Sequence, residues 1–289
     1  MVVKPVVAHT AGRFMREMVQ RAVARDSAVP AFAVYDFGTA QAIVEASEKV
    51  GSAVILLVPP KVAGGIGGLR FIQALRCLAD DISTAVSVQL DHATDLSLID
   101  SAVRAGADAV LADGSRLSME ANAEFVAQTR EIVGNAVTLE AELGNIAGDE
   151  DIALQSRASP FTDAGEVADF LRLSGADLLA VSVGNVHGQY SGEPKLGWGR
   201  IAELKVAAAN VPLVLHGASG LSEQDLAAAP AAGIGKINFN TELRVALFDM
   251  LRSEIDGHID RGFDMVGLQR DWHDKASGFA LATLRRLSP

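Results

Sequence analysis

Eight short apolar segments, each followed by one with helical periodicity, predict a single α/β domain over residues 1–289, built as a TIM (β/α)8 barrel of about 250 residues. A glycine just before a strand recurs at Ala105-Gly106, Ser174-Gly175 and Ala232-Gly233, the mark of one helix-to-strand turn used repeatedly. No Pro-, Ser- or Gly-rich linker divides the chain. The competing arrangement, a doubly wound open sheet, needs a topological switch point, and none can be located.

A capping helix comes first, at about 13–25, where Phe14, Met18, Val19 and Val23 recur at helical spacing and suit the bottom of a barrel. The barrel occupies about 29–256. Strand 30–34 precedes a helix at 39–50, with Thr39 as N-cap and Gly51 as its stop. Strand 53–58 leads through the glycine-rich loop 64–68 to a helix ending at Ala79. Strand 86–90 alternates Val86, Val88 and Leu90 with Ser87 and Gln89, and its helix runs to Arg104. Strand 109–113 is followed by a helix from about 118 to 133, and strand 137–143 by the loop 144–160 and a helix over 163–174. Strand 178–183 reaches the helix 198–209 through a long loop. Strand 213–216 precedes a helix opening at Ser222, where Asp225 gives an acidic capping box and Leu221 with Leu226 a hydrophobic staple. Strand 236–239 and helix 241–253 close the series, and 257–289 reads as a polar loop with a final amphipathic helix near 276–287.

Composition narrows the function classes. A hydrophobic fraction of 49% supplies a large core and excludes global disorder. A net charge of -11 and a pI near 5.0 argue against nucleic acid or anionic membrane as the main partner, because phosphates would be repelled. The longest apolar run, 53–60, falls far short of the roughly 18 residues of a membrane span, and no signal-peptide core follows Lys4 and Pro5. Cys77 is the single cysteine, so a reducing cytoplasm is the expected compartment, with core filling as its expected role.

The chemistry gathers at strand ends, where barrels bind ligands. Strand 86–90 stops at Asp91 and His92; other strands stop at Asp113, at Glu140 and Glu142, near His187 and at His216. Three of the six histidines therefore share one rim, the donor set of a catalytic zinc site with an open fourth position. Any one alone would read as a hydrogen-bonded strand-end residue; three together argue against coincidence. His9, His258 and His273 lie off the strand ends and read as surface residues. Gly188, Gly217, Ser219 and Gly220, with the helix start after Asn238, offer backbone N–H groups to an anion. Gly144 and Gly148 flank an acidic loop whose carboxylates could act as acid or base on closure, although composition alone favours a solvated surface loop.

These residues resemble the zinc-dependent class II fructose-bisphosphate aldolase family, which includes the tagatose-bisphosphate aldolases. The resemblance rests on Leu90-Asp91-His92, on Glu140-Ala141-Glu142-Leu143-Gly144 with Gly148-Asp149-Glu150-Asp151, on 184–190, on 212–220, and on Lys236-Ile237-Asn238 with 241–244. It implies one catalytic Zn2+ per chain bound by His92, His187 and His216, with a monovalent cation as a further candidate cofactor. It places Asp113 and Glu142 at an alternative metal position. Asp91 becomes the acid/base for the aldehyde-derived half and Glu150 the proton-abstracting carboxylate, with Asp149 the competing choice. Gly188, Gly217, Ser219, Asn240 and Thr241 fall on phosphate-binding positions and Asn238 on a substrate-orienting one. The implied partner is a small sugar phosphate and the implied assembly a homo-oligomer, dimer or tetramer.

Three positions depart from the family: Ala33 replaces an Asn, Pro59 a Ser or Thr, and Ser191 a phosphate-contacting Lys. Lys195 or Arg270 could restore part of that charge. The resulting expectation is a zinc lyase that cleaves or forms a phosphorylated ketose through the enediolate of a dihydroxyacetone-phosphate-like ketone, with a substrate other than fructose 1,6-bisphosphate. The alternatives are a fructose- or tagatose-bisphosphate aldolase proper, and a non-catalytic metal-binding barrel subunit, which would need neither Asp91 nor Glu150.

Overall fold

The computed structural model describes residues 14–146, 155–156, 160–190 and 195–287. In chain order its elements are α1 (Phe14–Val23), β1 (Val29–Ala33), α2 (Phe37–Val50), β2 (Val54–Val58), α3 (Pro60–Ala63), α4 (Gly68–Asp80), β3 (Val86–Ala93), α5 (Leu96–Arg104), β4 (Ala109–Ala112) and α6 (Met119–Val133). There follow β5 (Thr138–Leu143), β6 (Gln155–Ser156), α7 (Ala164–Ser174), β7 (Leu178–Val181), β8 (Gln189–Tyr190), α8 (Trp198–Ala208), β9 (Leu213–Leu215), α9 (Glu223–Ala228), β10 (Ile234–Phe239), α10 (Thr241–Asp260) and α11 (Met265–Leu287). Eight strands close a parallel barrel in the order β1-β10-β9-β7-β5-β4-β3-β2, as the sequence predicts, while β6 and β8 pair outside it.

Alternation along the strands builds two cores. Phe32, Leu56, Val88, Leu139 and Ile237 face outward and bury against the helix ring. Val29, Ala31, Ile55, Leu57, Leu178 and Val214 face inward and meet Met15, Met18 and Val19 of α1, which plugs the bottom of the barrel. The upper interior is polar: Gln89, Glu140, Glu142, Lys236 and Asn238 are all buried there. That layer places charge beneath the mouth, where the functional loops emerge.

Several local expectations change. The N-cap of α2 is Asp36, not Thr39: its Oδ1 accepts from Thr39 N–H at 2.8 Å, which draws Phe37 and Gly38 into the helix. Gly51 does end α2, with φ +72, and Ser222 caps α9 through Asp225 N–H. Cys77 is exposed rather than core, because α4 turns Ile72, Leu75 and Ala79 inward. The C-terminal region is longer in helix than its polar sequence suggests: α10 reaches Asp260, and α11 spans 23 residues from Met265. Packing supplies what the pattern lacks, since α11 buries Ala276, Ala280 and Leu284, and Trp272 Nε1 donates to Thr39 Oγ1 at 2.8 Å. That packing also buries His258, read as a surface residue, whose Nε2 lies 3.0 Å from Asp271 Oδ2. His273 is partly exposed, with Nε2 3.0 Å from Glu45 Oε2. No helix among the described residues is long and apolar enough to cross a membrane.

Candidate metal centre and active site

β3 delivers Asp91 and His92 through an irregularity. Its pairing with β4 aligns Leu90 with Val110 and then Ala93 with Ala112, so β3 carries one extra residue over that interval. Such a bulge bends a strand and re-aims its side chains. His92 has φ +43 there, in the left-handed region that a non-glycine residue occupies at a cost of about 1–3 kcal/mol. Asp91 and His92, which a regular strand would send to opposite faces, therefore both line the cavity at the mouth.

His187 lies in the loop after β7, and His216 directly follows β9. Asn185, fully buried, ties the two loops together: its Oδ1 accepts from Val183 N–H at 2.8 Å and its Nδ2 donates to the His216 carbonyl at 3.0 Å. Gly217 allows their close approach, because at φ +59 a Cβ would overlap the Val186 carbonyl. Gly217→Ala is accordingly expected to destabilise the fold by about 2 kcal/mol through overlap and backbone strain. A thermal melt checks this, and an unchanged Tm would contradict the close packing.

The three imidazoles converge with ring centroids 5.0 Å (His92 to His187), 4.9 Å (His92 to His216) and 5.7 Å (His187 to His216) apart. With Glu142 from β5 they offer four ligand atoms all within 4.8 Å of one another. Neighbouring carboxylates orient the rings. Asp113 Oδ2 is 2.8 Å from His92 Nδ1, which leaves Nε2 to coordinate. Glu140 Oε1 is 2.9 Å from His216 Nε2, which leaves Nδ1, 3.3 Å from Glu142 Oε2. Asp113 and Glu142, paired by the resemblance at one alternative position, are thus separated: Glu142 joins the histidines, while Asp113 holds one of them.

The electrostatics favour a cation. Burial pushes the Asp113 carboxyl up, but the hydrogen bond and charge of His92 win and hold it far below its usual range. Burial likewise opposes ionisation of Glu140, yet the Lys236 charge and the His216 hydrogen bond bring it down to about 2. His216 is depressed by burial and raised more strongly by hydrogen bonds to Glu140 and Glu142, to about 9. Carboxylates that stay ionised so far into acid keep negative charge beside the imidazoles, which suits a divalent ion, and three imidazoles with one carboxylate match zinc chemistry. The donor set fits the metal.

Of the residues carried over to phosphate binding, Gly188 lies in the loop after β7 and the others at the β9 and β10 ends. Gly188 and Gly217 take φ +87 and +59, Ser219 is buried in the loop after β9, and Thr241 opens α10. Asn240 stands at the N-cap position of α10, where its Oδ1 accepts from Tyr35 OH at 3.1 Å. Asn238 is buried, and neither atom of its amide has a hydrogen-bond partner, as a group awaiting a polar ligand would be left. Glu150, Asp149, Ser191 and His9 lie outside the described residues. Lys195 and Arg270 do not line the mouth cavity, and Arg270 sits on α11 with Nε 3.7 Å from Asp271 Oδ1.

Sequence reasoning gave no role to Glu140, Gln89, Lys236 or Asn185. Gln89 Nε2 and Lys236 Nζ donate to Glu140 Oε2 at 2.9 and 2.8 Å, so a fully buried triad underlies His216. A signal did exist. Parallel strands buried on both faces should be apolar throughout, yet Ser87, Gln89 and Asp91, Thr138, Glu140 and Glu142, and Lys236 and Asn238 are polar at period two.

The chain matches the family described as fructose-bisphosphate aldolase class-II over residues 13–280. It is 36% identical over 245 residues to a sulfofructosephosphate aldolase from Alkalicoccus urumqiensis, with 82% of this chain and 83% of that protein covered. The crystal structure of the YdjI aldolase from Escherichia coli K12 superposes with a TM-score of 0.84 at 26% identity, covering 95% of this chain and 97% of that one. A fructose-bisphosphate aldolase from Campylobacter jejuni shares the fold, with a TM-score of 0.78 at 20% identity over 99% of this chain and 98% of that one.

Proposed function

Because the chain belongs to the class II fructose-bisphosphate aldolase family, we propose that it is a zinc-dependent lyase splitting a phosphorylated ketose into a dihydroxyacetone-phosphate-like ketone and an aldehyde. The observation that carries this reading is Asp91 lining the same cavity as His92, His187 and Glu142, within a four-donor cluster completed by His216. A divalent ion held by that cluster supplies Lewis-acid polarisation of the ketone carbonyl, so no lysine Schiff base is needed. Lys236 is committed to Glu140 instead.

Asp91 takes the proton from the hydroxyl of the carbon that becomes the aldehyde. The carbon-carbon bond breaks, its electron pair stays with the ketone half, and Glu150 returns a proton there. In the synthetic direction Glu150 removes that proton. Asn238 orients the substrate through its buried amide, and the backbone around Gly188, Gly217, Ser219, Asn240 and Thr241 holds the phosphate. Asp91→Ala is expected to lower cleavage by about 10²–10⁴, the usual contribution of one general acid/base, while leaving the metal bound. Steady-state kinetics with metal analysis checks both halves of that statement.

The substrate we propose is not fructose 1,6-bisphosphate. A relative 36% identical is named for sulfofructosephosphate. Ala33, Pro59 and Ser191 also remove donors, each charge-assisted hydrogen bond being worth about 1.5–3 kcal/mol. Comparing kcat/KM across fructose 1,6-bisphosphate, tagatose 1,6-bisphosphate and other ketose 1-phosphates tests this. The fructose compound ranking first at about 10⁴ M⁻¹s⁻¹ or above would refute it. Zinc-dependent exchange of a C–H proton of dihydroxyacetone phosphate with solvent separates a catalyst from a metal-binding scaffold.

A further inference from the structure

The turn that joins β4 to α6 reaches two of the four donors of the histidine cluster. Pairing of β4 with β5 ends at Ala112 and Ala141, so Glu142, the next residue of β5, has no pairing residue on β4. A side chain stands where that strand would continue: Asn122, buried at the start of α6, donates from Nδ2 to the Glu142 carbonyl at 2.8 Å. The other end of the same turn holds His92, since Asp113 Oδ2 is 2.8 Å from His92 Nδ1 while Asp113 Oδ1 accepts from Ser115 N–H at 3.0 Å.

The segment between these two contacts is closed on itself. Leu117 N–H donates to the Gly114 carbonyl at 2.8 Å, Asn122 N–H donates to the Ser118 carbonyl at 2.8 Å, and Ser118 Oγ caps α6 by accepting from Ala121 N–H at 3.3 Å. Gly114 lies so close to the Asn122 amide that a Cβ on it would stand 2.4 Å from Asn122 Oδ1. Packing alone does not account for an asparagine here. Its Oδ1 is buried with no hydrogen-bond partner among the described residues, a cost in stability that an apolar side chain of similar size avoids. What only the amide supplies is a donor for the Glu142 carbonyl, and because a carbonyl only accepts, that bond also fixes which way the amide faces.

We propose that Asn122 is a positioning residue of the metal centre. Through the carbonyl it fixes the end of β5 that aims the Glu142 carboxylate at the three histidines, and by packing on Gly114 it ties that end to the turn whose Asp113 orients His92. It does not line the mouth cavity, so it acts only through these neighbours. The proposal rests on the metal centre of the aldolase reading above.

The test measures the zinc dissociation constant of the full chain by competition with a chelator, together with the visible spectrum of the Co2+-substituted protein, whose bands follow the ligand geometry. Asn122→Ala is expected to weaken zinc binding about 10–100-fold, the usual effect of losing a residue that orients a ligand, and to change the Co2+ spectrum. Asn122→Ser, whose hydroxyl is a bond shorter than the amide, gives the same signature and carries the test if Asn122→Ala does not fold. Val126→Ala, one turn along the same helix and fully buried, leaves a cavity that lowers Tm yet keeps the parent's zinc affinity and spectrum. Parental affinity and spectrum in a folded Asn122 variant, or an equal loss of affinity in Val126→Ala, overturns the positioning role and leaves the metal centre standing. A wild-type chain that binds no divalent ion overturns both.

Discussion

His187→Ala, or treatment with a strong chelator, is expected to lower cleavage at least about 10³-fold, because a Lewis acid worth several kcal/mol of transition-state stabilisation is lost. His187 is the informative ligand to remove. His92 is tied to Asp113 and His216 to Glu140, so truncating either leaves a buried or partly buried carboxylate without its partner and confuses metal loss with instability. Metal content should fall well below one ion per chain in the variant and in the chelated protein, and added zinc should restore only the latter. Full activity in metal-free protein would end the zinc proposal.

Lys236→Met is expected to cost about 3–5 kcal/mol of stability, because it leaves the fully buried Glu140 without its cation. For a domain of this size that is a fall in Tm of roughly 10 °C. The pH dependence gives a second check. Glu140 titrates at about 2 in the folded protein against an ordinary 4.5, so its ionised form stabilises the fold fully above 4.5, and that contribution is lost as pH falls toward 2. In Lys236→Met burial dominates and the carboxyl pKa rises, so the variant gains relative to the parent in acid. The stability gap should be widest near neutrality and narrow below about pH 4.5. Adding Glu140→Gln to Lys236→Met should recover part of the loss, and strict additivity of the two changes would show that they do not interact. Glu140→Gln alone should weaken metal binding about 10–100-fold through the misoriented His216 ring.

The barrel was legible because its causes are local. Period-two strands, helical periodicity, Gly51 and the Ser222 cap each depend on residues a few positions apart. The same holds for His92, His187 and His216: lying at or beyond the C-terminal end of a strand is a one-dimensional property, and the fold turns it into proximity. Elements whose stability comes from packing leave little local signal, which is why the helical conformation of the polar first half of α11 and the burial of His258 are not legible in the sequence.

The sequence by itself determined the strand order, the alternation that makes two cores, and which strands end in polar residues. Tertiary structure alone decided how they are held. Glu140 meets Gln89, His216 and Lys236 across 51, 76 and 96 residues of chain, and no local pattern records which inward side chains share a layer once the barrel closes. The extra residue in β3 that turns both Asp91 and His92 into the cavity is likewise set by register against β4, a relation between strands that neither carries alone.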